Sequence, residues 1–229
     1  MKSLLGNCEE MCRHHREQLL FLRGTLEGRG WFRAWSALEL ARSLDAGALR
    51  KDKVTPRFHH QLQVARLVST LLPHLIYPEE TMAAAFLHDI REDHPSEVNA
   101  AALMEQFGPL VSEAVWCLSK KSGGLVKDYN SYFTDLAKCP IASVVKLSDR
   151  IHNAFSMENA YTREKQVEYV DEIDQWFFPL IKAARHRFPR QYPAYENLKI
   201  MLIIEHELWH ARFSDGGTQL VEARTNDHD

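Results

Sequence analysis

The stretch Phe86-Leu87-His88-Asp89-Ile90-Arg91-Glu92-Asp93 sets one imidazole and three carboxylates behind the apolar run Ala83-Ala84-Ala85. On a helix, residues i and i+4 share a face, so the spacing predicts Glu92 over His88 and Asp93 over Asp89. An exposed acidic helix end is the bland reading, but the run before it is too apolar to face water. Buried together, the carboxylates are costly unless a cation neutralises them, and a divalent metal is the simplest answer. Two further ligand candidates stand out. His60 opens His60-Gln61-Leu62-Gln63-Val64-Ala65, and Asp149 sits inside the apolar stretch from Val144 to Asn153. Asn153 lies one turn beyond Asp149 on the same face. His60, His88, Asp89 and Asp149 make a mixed nitrogen and oxygen set that suits Mn²⁺, Fe²⁺ or Zn²⁺ rather than a closed thiolate cage. Four protein ligands on a six-coordinate ion leave room for water and a phosphate oxygen. Glu92 and Asp93 are placed to orient or deprotonate that water.

These residues must be positioned by helices. Apolar residues recur at helical spacing, and strand-length alternation is nearly absent. Leu62, Ala65, Val68 and Leu72 form one stripe, which Pro73 ends or kinks. Pro78-Glu79-Glu80 opens a helix with proline in its first turn and acids beside the positive end of the dipole. Pro95-Ser96-Glu97 is expected to start another, ending near Gly108. Pro109 to Lys121 reads as a further helix, and Pro140 opens the one carrying Asp149. Long helical stretches follow over about 163–187, kinked or split by Pro179, and over about 195–213. The expected organisation is all-α: an N-terminal helical extension over 1–33, one domain over 34–213, and a polar, frayed tail over 214–229. Trp176, Phe177 and Phe178 suit either the core or a homo-oligomer interface.

With 229 residues, the chain holds one well-cored domain and is too short for two of average size. Lys and Arg number 28 against 31 Asp and Glu, a net charge of −3, which argues against a general nucleic-acid binder. A local basic pocket for a phosphorylated small molecule remains open. No run of about 18 apolar residues occurs, so no membrane span is expected. Residues 1–10 do not read as a secretory signal. Cys8, Cys12, Cys117 and Cys139 make no disulfide framework, so a cytoplasmic protein with reduced thiols is expected.

His60, His88-Asp89 and Asp149 resemble, in order and spacing, the H…HD…D signature of the HD phosphohydrolase superfamily. The words Ala85-Phe86-Leu87-His88-Asp89-Ile90-Arg91-Glu92-Asp93 and Val145-Lys146-Leu147-Ser148-Asp149-Arg150-Ile151-His152-Asn153 resemble the hydrolase domain of RelA/SpoT-type proteins. So does Arg50-Lys51-Asp52 ahead of His60. The offset to Val64-Ala65 favours His60 over its rival His59. The resemblance covers about 38–157. It implies an all-α bundle around one Mn²⁺ and removal of the 3′-pyrophosphate from ppGpp or pppGpp, giving GDP or GTP. It implies His60, His88, Asp89 and Asp149 as metal ligands and Glu92 and Asp93 as the pair handling the attacking water. Arg50 and Lys51 would lie near the base and phosphates, and Asn153 would contact the nucleotide. Lys146 and Arg150 would add positive charge near phosphate. The chain departs from the family at Gln61, where proline is usual, at Ser119-Lys120 in place of Thr-Lys, and at His94 in place of threonine. Without room for a synthetase domain, it resembles a stand-alone small alarmone hydrolase. Alternatives are another HD phosphohydrolase, such as a nucleotidase or phosphatase of a related nucleotide, or a non-catalytic alarmone-binding module.

Two other clusters carry metal-like spacing. His206-Glu207-Leu208-Trp209-His210 matches H-E-x-x-H, which on a helix can present two imidazoles to Zn²⁺ with the glutamate as base. The extended pattern with a third downstream histidine is absent, so the expected reading is the polar outer face of a terminal helix. Cys8, Cys12, His14 and His15 crowd one short helix, which cannot present all four to one tetrahedral ion.

Overall fold

The structure, a computed structural model, describes residues 2–122, 124–158 and 160–225, and within them the side chains of 13–214 apart from those of 122 and 125. Its elements are α1 (Lys2–Arg29), α2 (Phe32–Leu44), α3 (Phe58–Ser69), α4 (Pro78–Leu87), α5 (Ile90–Asp93), α6 (Ala100–Leu118), α7 (Tyr129–Lys138), α8 (Pro140–Ser156), α9 (Arg163–Glu172), α10 (Phe178–Arg187) and α11 (Tyr192–Thr225). A small antiparallel hairpin, β1 (Lys121–Ser122) and β2 (Leu125–Val126), pairs Lys121 with Val126. The fold is all-α, as expected.

Local chemistry sets the boundaries. Pro78 stands in the first turn of α4 with Glu79 and Glu80. Both acids also reach α2: the Arg33 backbone N–H donates to Glu79 at 3.0 Å and its guanidinium to Glu80 at 2.9 Å. The turn at 95–97 does not begin a helix; Asn99 caps α6 by accepting from the Ala102 N–H at 2.9 Å. Gly108, at φ 77° and ψ 175°, breaks α6 into two helical runs and supplies a conformation that a side chain would strain. A π-turn over Ile173–Phe177 separates α9 from α10 just ahead of Pro179. Proline has no N–H for the carbonyl four residues back, so the ladder must change step there.

The helix expected through 83–93 is not continuous. It ends at Leu87 and resumes at Ile90, with His88 and Asp89 in the turn between. The Asp93 N–H still bonds the Asp89 carbonyl at 2.9 Å, so that i,i+4 relation survives the break.

The core surrounds α4, whose residues from Thr81 to Leu87 are all buried. A helix apolar all round must be covered on every side, and α2, α3, α6 and α8 pack against it. Leu22 and Leu26 of α1 join the same core, as do Leu38, Leu62, Phe86, Phe107 and Leu147. Phe177 is fully buried and Trp176 stacks on Phe133 at 5.3 Å, so this aromatic group belongs to the core. α11 lies along α8, tied to it by the Trp209 indole N–H donating to the Ala154 carbonyl at 2.9 Å. It runs in helix through Thr225; the last four residues of the expected tail, 226–229, lie outside the described residues. No helix among the described residues is long and apolar enough to cross a membrane.

Candidate metal centre and active site

Three parts of the chain meet at one point. His60 comes from the first turn of α3, His88 and Asp89 from the break between α4 and α5, and Asp149 from the middle of α8. The Nε2 atoms of His60 and His88 lie 3.1 Å apart. Asp149 Oδ1 is 3.0 Å from His60 Nε2, and Asp89 Oδ2 is 3.1 Å from His88 Nε2. Donors about 2.1 Å from a common ion lie roughly 3 Å from their neighbours, so these spacings are those of a coordination shell. One ligand atom from each of His60, His88 and Asp149 falls within 4.8 Å of the others, and all three residues are buried. Asp89 closes the set from the solvent side, with its side chain 37% exposed.

The opposite edges of these side chains are held. His88 Nδ1 lies 2.9 Å from the Ala85 carbonyl, so it carries a proton and turns Nε2 toward the cluster. His60 Nδ1 meets His152 Nδ1 at 2.8 Å, where one nitrogen donates and the other accepts. Lys146 donates to Asp149 Oδ2 at 2.8 Å and the Asn153 amide to Asp149 Oδ1 at 2.6 Å. His152 was not among the residues singled out by the sequence. The available signal was its place three residues after Asp149, on the same helical face.

The electrostatics fit a cation. Burial opposes protonation of His88, but the Asp89 carboxylate and then Asp149 outweigh it and lift the imidazole pKa to about 9. A positive charge is therefore favoured at the point where the donors converge. Burial also opposes ionisation of Asp149, yet the Lys146 ammonium, followed by His60, holds it well below the usual carboxylate range. Burial keeps His60 and His152 below the ordinary imidazole value, the neutral state that a ligand and its partner require. Two imidazole nitrogens and two carboxylates thus suit a divalent metal.

A cavity of about 440 Å³ opens onto this cluster. Its walls include His60, Asp89, Glu92, Asp93 and Asp149, with Arg50, Lys51, Arg57, Lys146 and Asn153. Of the sequence-predicted site residues, His88 lies behind the wall and Arg150 lines a neighbouring cavity, and the others are brought to this one place. Arg50 lies 3.5 Å from Asn153 Oδ1, and the Lys51 ammonium sits 4.5 Å over the Tyr161 ring. A second cavity, of about 210 Å³, shares Asp89, Glu92 and Lys146 and adds Lys120, Arg150 and Lys165. Arg150 is tied down, its guanidinium paired with Glu172 and donating to the Tyr169 carbonyl at 3.2 Å.

Glu92 and Asp93 are separated by their surroundings. Glu92 accepts from the backbone N–H groups of Lys120 and Lys121, at 2.5 and 3.1 Å, and so fastens α5 to β1. Asp93 is 3.7 Å from Arg57; burial and then the Asp89 charge raise its pKa above the usual carboxylate value. The departures at Gln61 and His94 have a common account. Both bond the buried Asp45 carboxylate, each at 2.9 Å, and Arg57 approaches the same group at 3.6 Å.

Residues 37–122 match the family model of the HD domain. Over that stretch the chain is similar to an HD domain. The match takes in His60, His88 and Asp89, whereas Asp149 and Asn153 lie beyond it and reach the HD site through the fold. A GTP pyrophosphokinase of Streptomyces antibioticus is 31% identical over 150 residues, which are 63% of this chain and 17% of that protein. The chain therefore spans a small part of that relative's length. A solved structure titled as a metazoan ortholog of SpoT that hydrolyzes ppGpp and plays a role in starvation responses superposes with a TM-score of 0.60. It is 22% identical, and the match covers 77% of this chain and 94% of that one. That likeness is one of fold. Both relatives belong with the RelA/SpoT-type proteins that the sequence resembles.

Proposed function

We propose that this chain is a divalent-metal-dependent pyrophosphohydrolase that removes the 3′-diphosphate of ppGpp or pppGpp, releasing pyrophosphate and GDP or GTP. The observation that carries the reading is the convergence of His60, His88, Asp89 and Asp149 at the wall of a cavity that also presents Arg50, Lys51, Arg57 and Lys146. An anion-lined ligand shell beside a cation-lined cavity is what a phosphorylated substrate of a metal hydrolase requires. Its volume lies within the usual range for a small-molecule site.

A metal held by the four ligands, Mn²⁺ in this reading, supplies Lewis acidity toward a phosphoryl oxygen and lowers the pKa of water. Asp93 takes a proton from the attacking water, and its raised pKa makes it a better base than an ordinary carboxylate. Glu92 holds α5 against the 120–121 backbone and so fixes the placement of its neighbour. The new bond joins water oxygen to the phosphorus attached to the ribose. The bond from that phosphorus to the 3′-oxygen breaks, and the 3′-oxygen takes a proton from solvent. Arg50, Lys51 and Asn153 form the nucleotide side of the cavity, and Tyr161 and Tyr169, with ring centroids 5.0 Å apart, offer an aromatic surface there.

The test is to incubate the purified chain with Mn²⁺ and ppGpp and identify the products. The expected result is pyrophosphate and GDP in equal amounts. Orthophosphate as the product would point to a different HD phosphohydrolase. Tight binding of ppGpp without turnover would reduce the chain to a binding module.

A further inference from the structure

We propose that Asp174, His206 and His210 form a second divalent-metal site, of the Zn²⁺-binding kind, that joins the π-turn between α9 and α10 to α11. His206 and His210 stand on successive turns of α11, with Nε2 atoms 3.1 Å apart and rings in an edge contact at 4.4 Å. Asp174, inside the π-turn, places Oδ2 2.9 Å from His206 Nε2. One ligand atom from each of the three lies within 4.8 Å of the others.

Three observations point to an ion. Tetrahedral Zn²⁺ with bonds near 2.0–2.1 Å spaces its donors by roughly 3.3 Å, close to both contacts here. His206 Nε2 is shared: it meets a carboxylate on one side and a second imidazole nitrogen on the other. A single N–H on that atom points at one of these partners, whereas one cation satisfies both. The backbone agrees too. Asp174 belongs to a π-turn, and the extra residue of such a turn re-aims a side chain, a common use of these turns at binding sites.

The H-E-x-x-H spacing of α11 thus finds its third donor upstream in sequence, from a helix packed alongside. Three protein ligands leave a fourth position open to water or to a carboxylate of another molecule. Asp174 and His210 are exposed, and the His206 side chain is 17% exposed with the Phe178 ring edge against it at 5.7 Å. Solvent reaches the site directly, so metal exchange there is fast compared with the buried centre. The site is distinct from the HD centre in residues and helices, and its test does not depend on the proposed reaction.

The full chain, stripped with chelator and dialysed against Zn²⁺, is analysed for bound metal. Two ions per chain are expected in the parent protein and one in His210→Ala. Asp174→Asn should weaken the second site by at least about tenfold, since loss even of outer partners of a ligand costs 10–100-fold. The ring resonances of His206 and His210 should shift together as the second equivalent of Zn²⁺ is added. Equal metal content in the parent, His210→Ala and Asp174→Asn, or ring resonances that stay in place, overturns the proposal. Asp174 is exposed, so its variant reports on metal even where the histidine variant is poorly folded.

Discussion

The molecule holds two clusters that share a pair of imidazoles and a nearby carboxylate at the same spacing, and they differ in what stands behind them. At both, a pair of imidazole Nε2 atoms lies 3.1 Å apart with a carboxylate about 3 Å away. In the HD centre the donors come from three stretches of chain and are backed by Ala85, His152, Lys146 and Asn153. On α11 both imidazoles come from one helix and the carboxylate side chain is 58% exposed. Donor geometry alone therefore does not tell the two clusters apart. A cavity, burial and a set of outer partners distinguish the first, because low dielectric strengthens every charge interaction there.

Variants can break or sharpen this contrast. Asp93→Asn should lower turnover of ppGpp by about 100- to 10,000-fold, the span usual for loss of a general base, while the chain retains its metal. Glu207→Gln, the equivalent change on α11, should leave the rate unchanged. Initial rates and metal content measured side by side decide it; equal rates for Asp93→Asn and the parent would remove Asp93 as the base.

Asp149→Ala leaves the buried His60 and the partly buried Lys146 without their partner, and breaking such a pair costs about 3 kcal/mol, the low end for a buried one. Asp174→Ala, on the surface, should stay within about 0.5 kcal/mol in metal-free protein. Urea unfolding of the two variants in chelator measures the difference.

His152→Ala tests the outer layer itself. His152 touches no proposed ligand position except through His60 Nδ1, so its loss should weaken metal binding by about 10–100-fold without removing a donor. A chelator competition titration reads this, and unchanged affinity would mean that His152 merely fills space.

The smallest effect concerns the link between the two regions. Glu172, two residues from Asp174, pairs with Arg150 and accepts from Tyr129 at 2.7 Å. Burial opposes its ionisation, but Arg150 and Tyr129 hold its pKa below the usual glutamate value. The unfolded chain protonates at higher pH than the folded one, so the pair's contribution is present above about pH 4.5 and is lost as pH falls through the folded value. Glu172→Gln should cost about 1–2 kcal/mol at pH 7 and progressively less below pH 4.5. Stability curves that run parallel over the whole acid range would contradict this.

Much of the buried cluster was legible in sequence because its proposed ligands sit in short, distinctive words. His88-Asp89 followed by Glu92-Asp93 behind an apolar run concentrates metal-ligating side chains in one word, although the fold leaves Glu92 and Asp93 exposed rather than buried beside His88. The helix boundaries set by Pro78, Pro140 and Gly108 were legible for the same reason, since each rests on a backbone property of one residue. The break between Leu87 and Ile90 was not, because nothing local in that stretch disfavours a helix. The partners of Gln61 and His94 were also hidden. Asp45 is 16 residues before the first and 49 before the second, and only packing joins them.

By itself, the sequence determined an all-α chain and pointed to the four side chains that the fold brings together. These follow from hydrophobic period and side-chain chemistry, which are local. Tertiary structure alone decided that His152 backs His60 and that Asp174 comes to the α11 histidines. Each joins residues whose separation along the chain carries no spacing rule, so only the burial of shared apolar faces could bring them into contact.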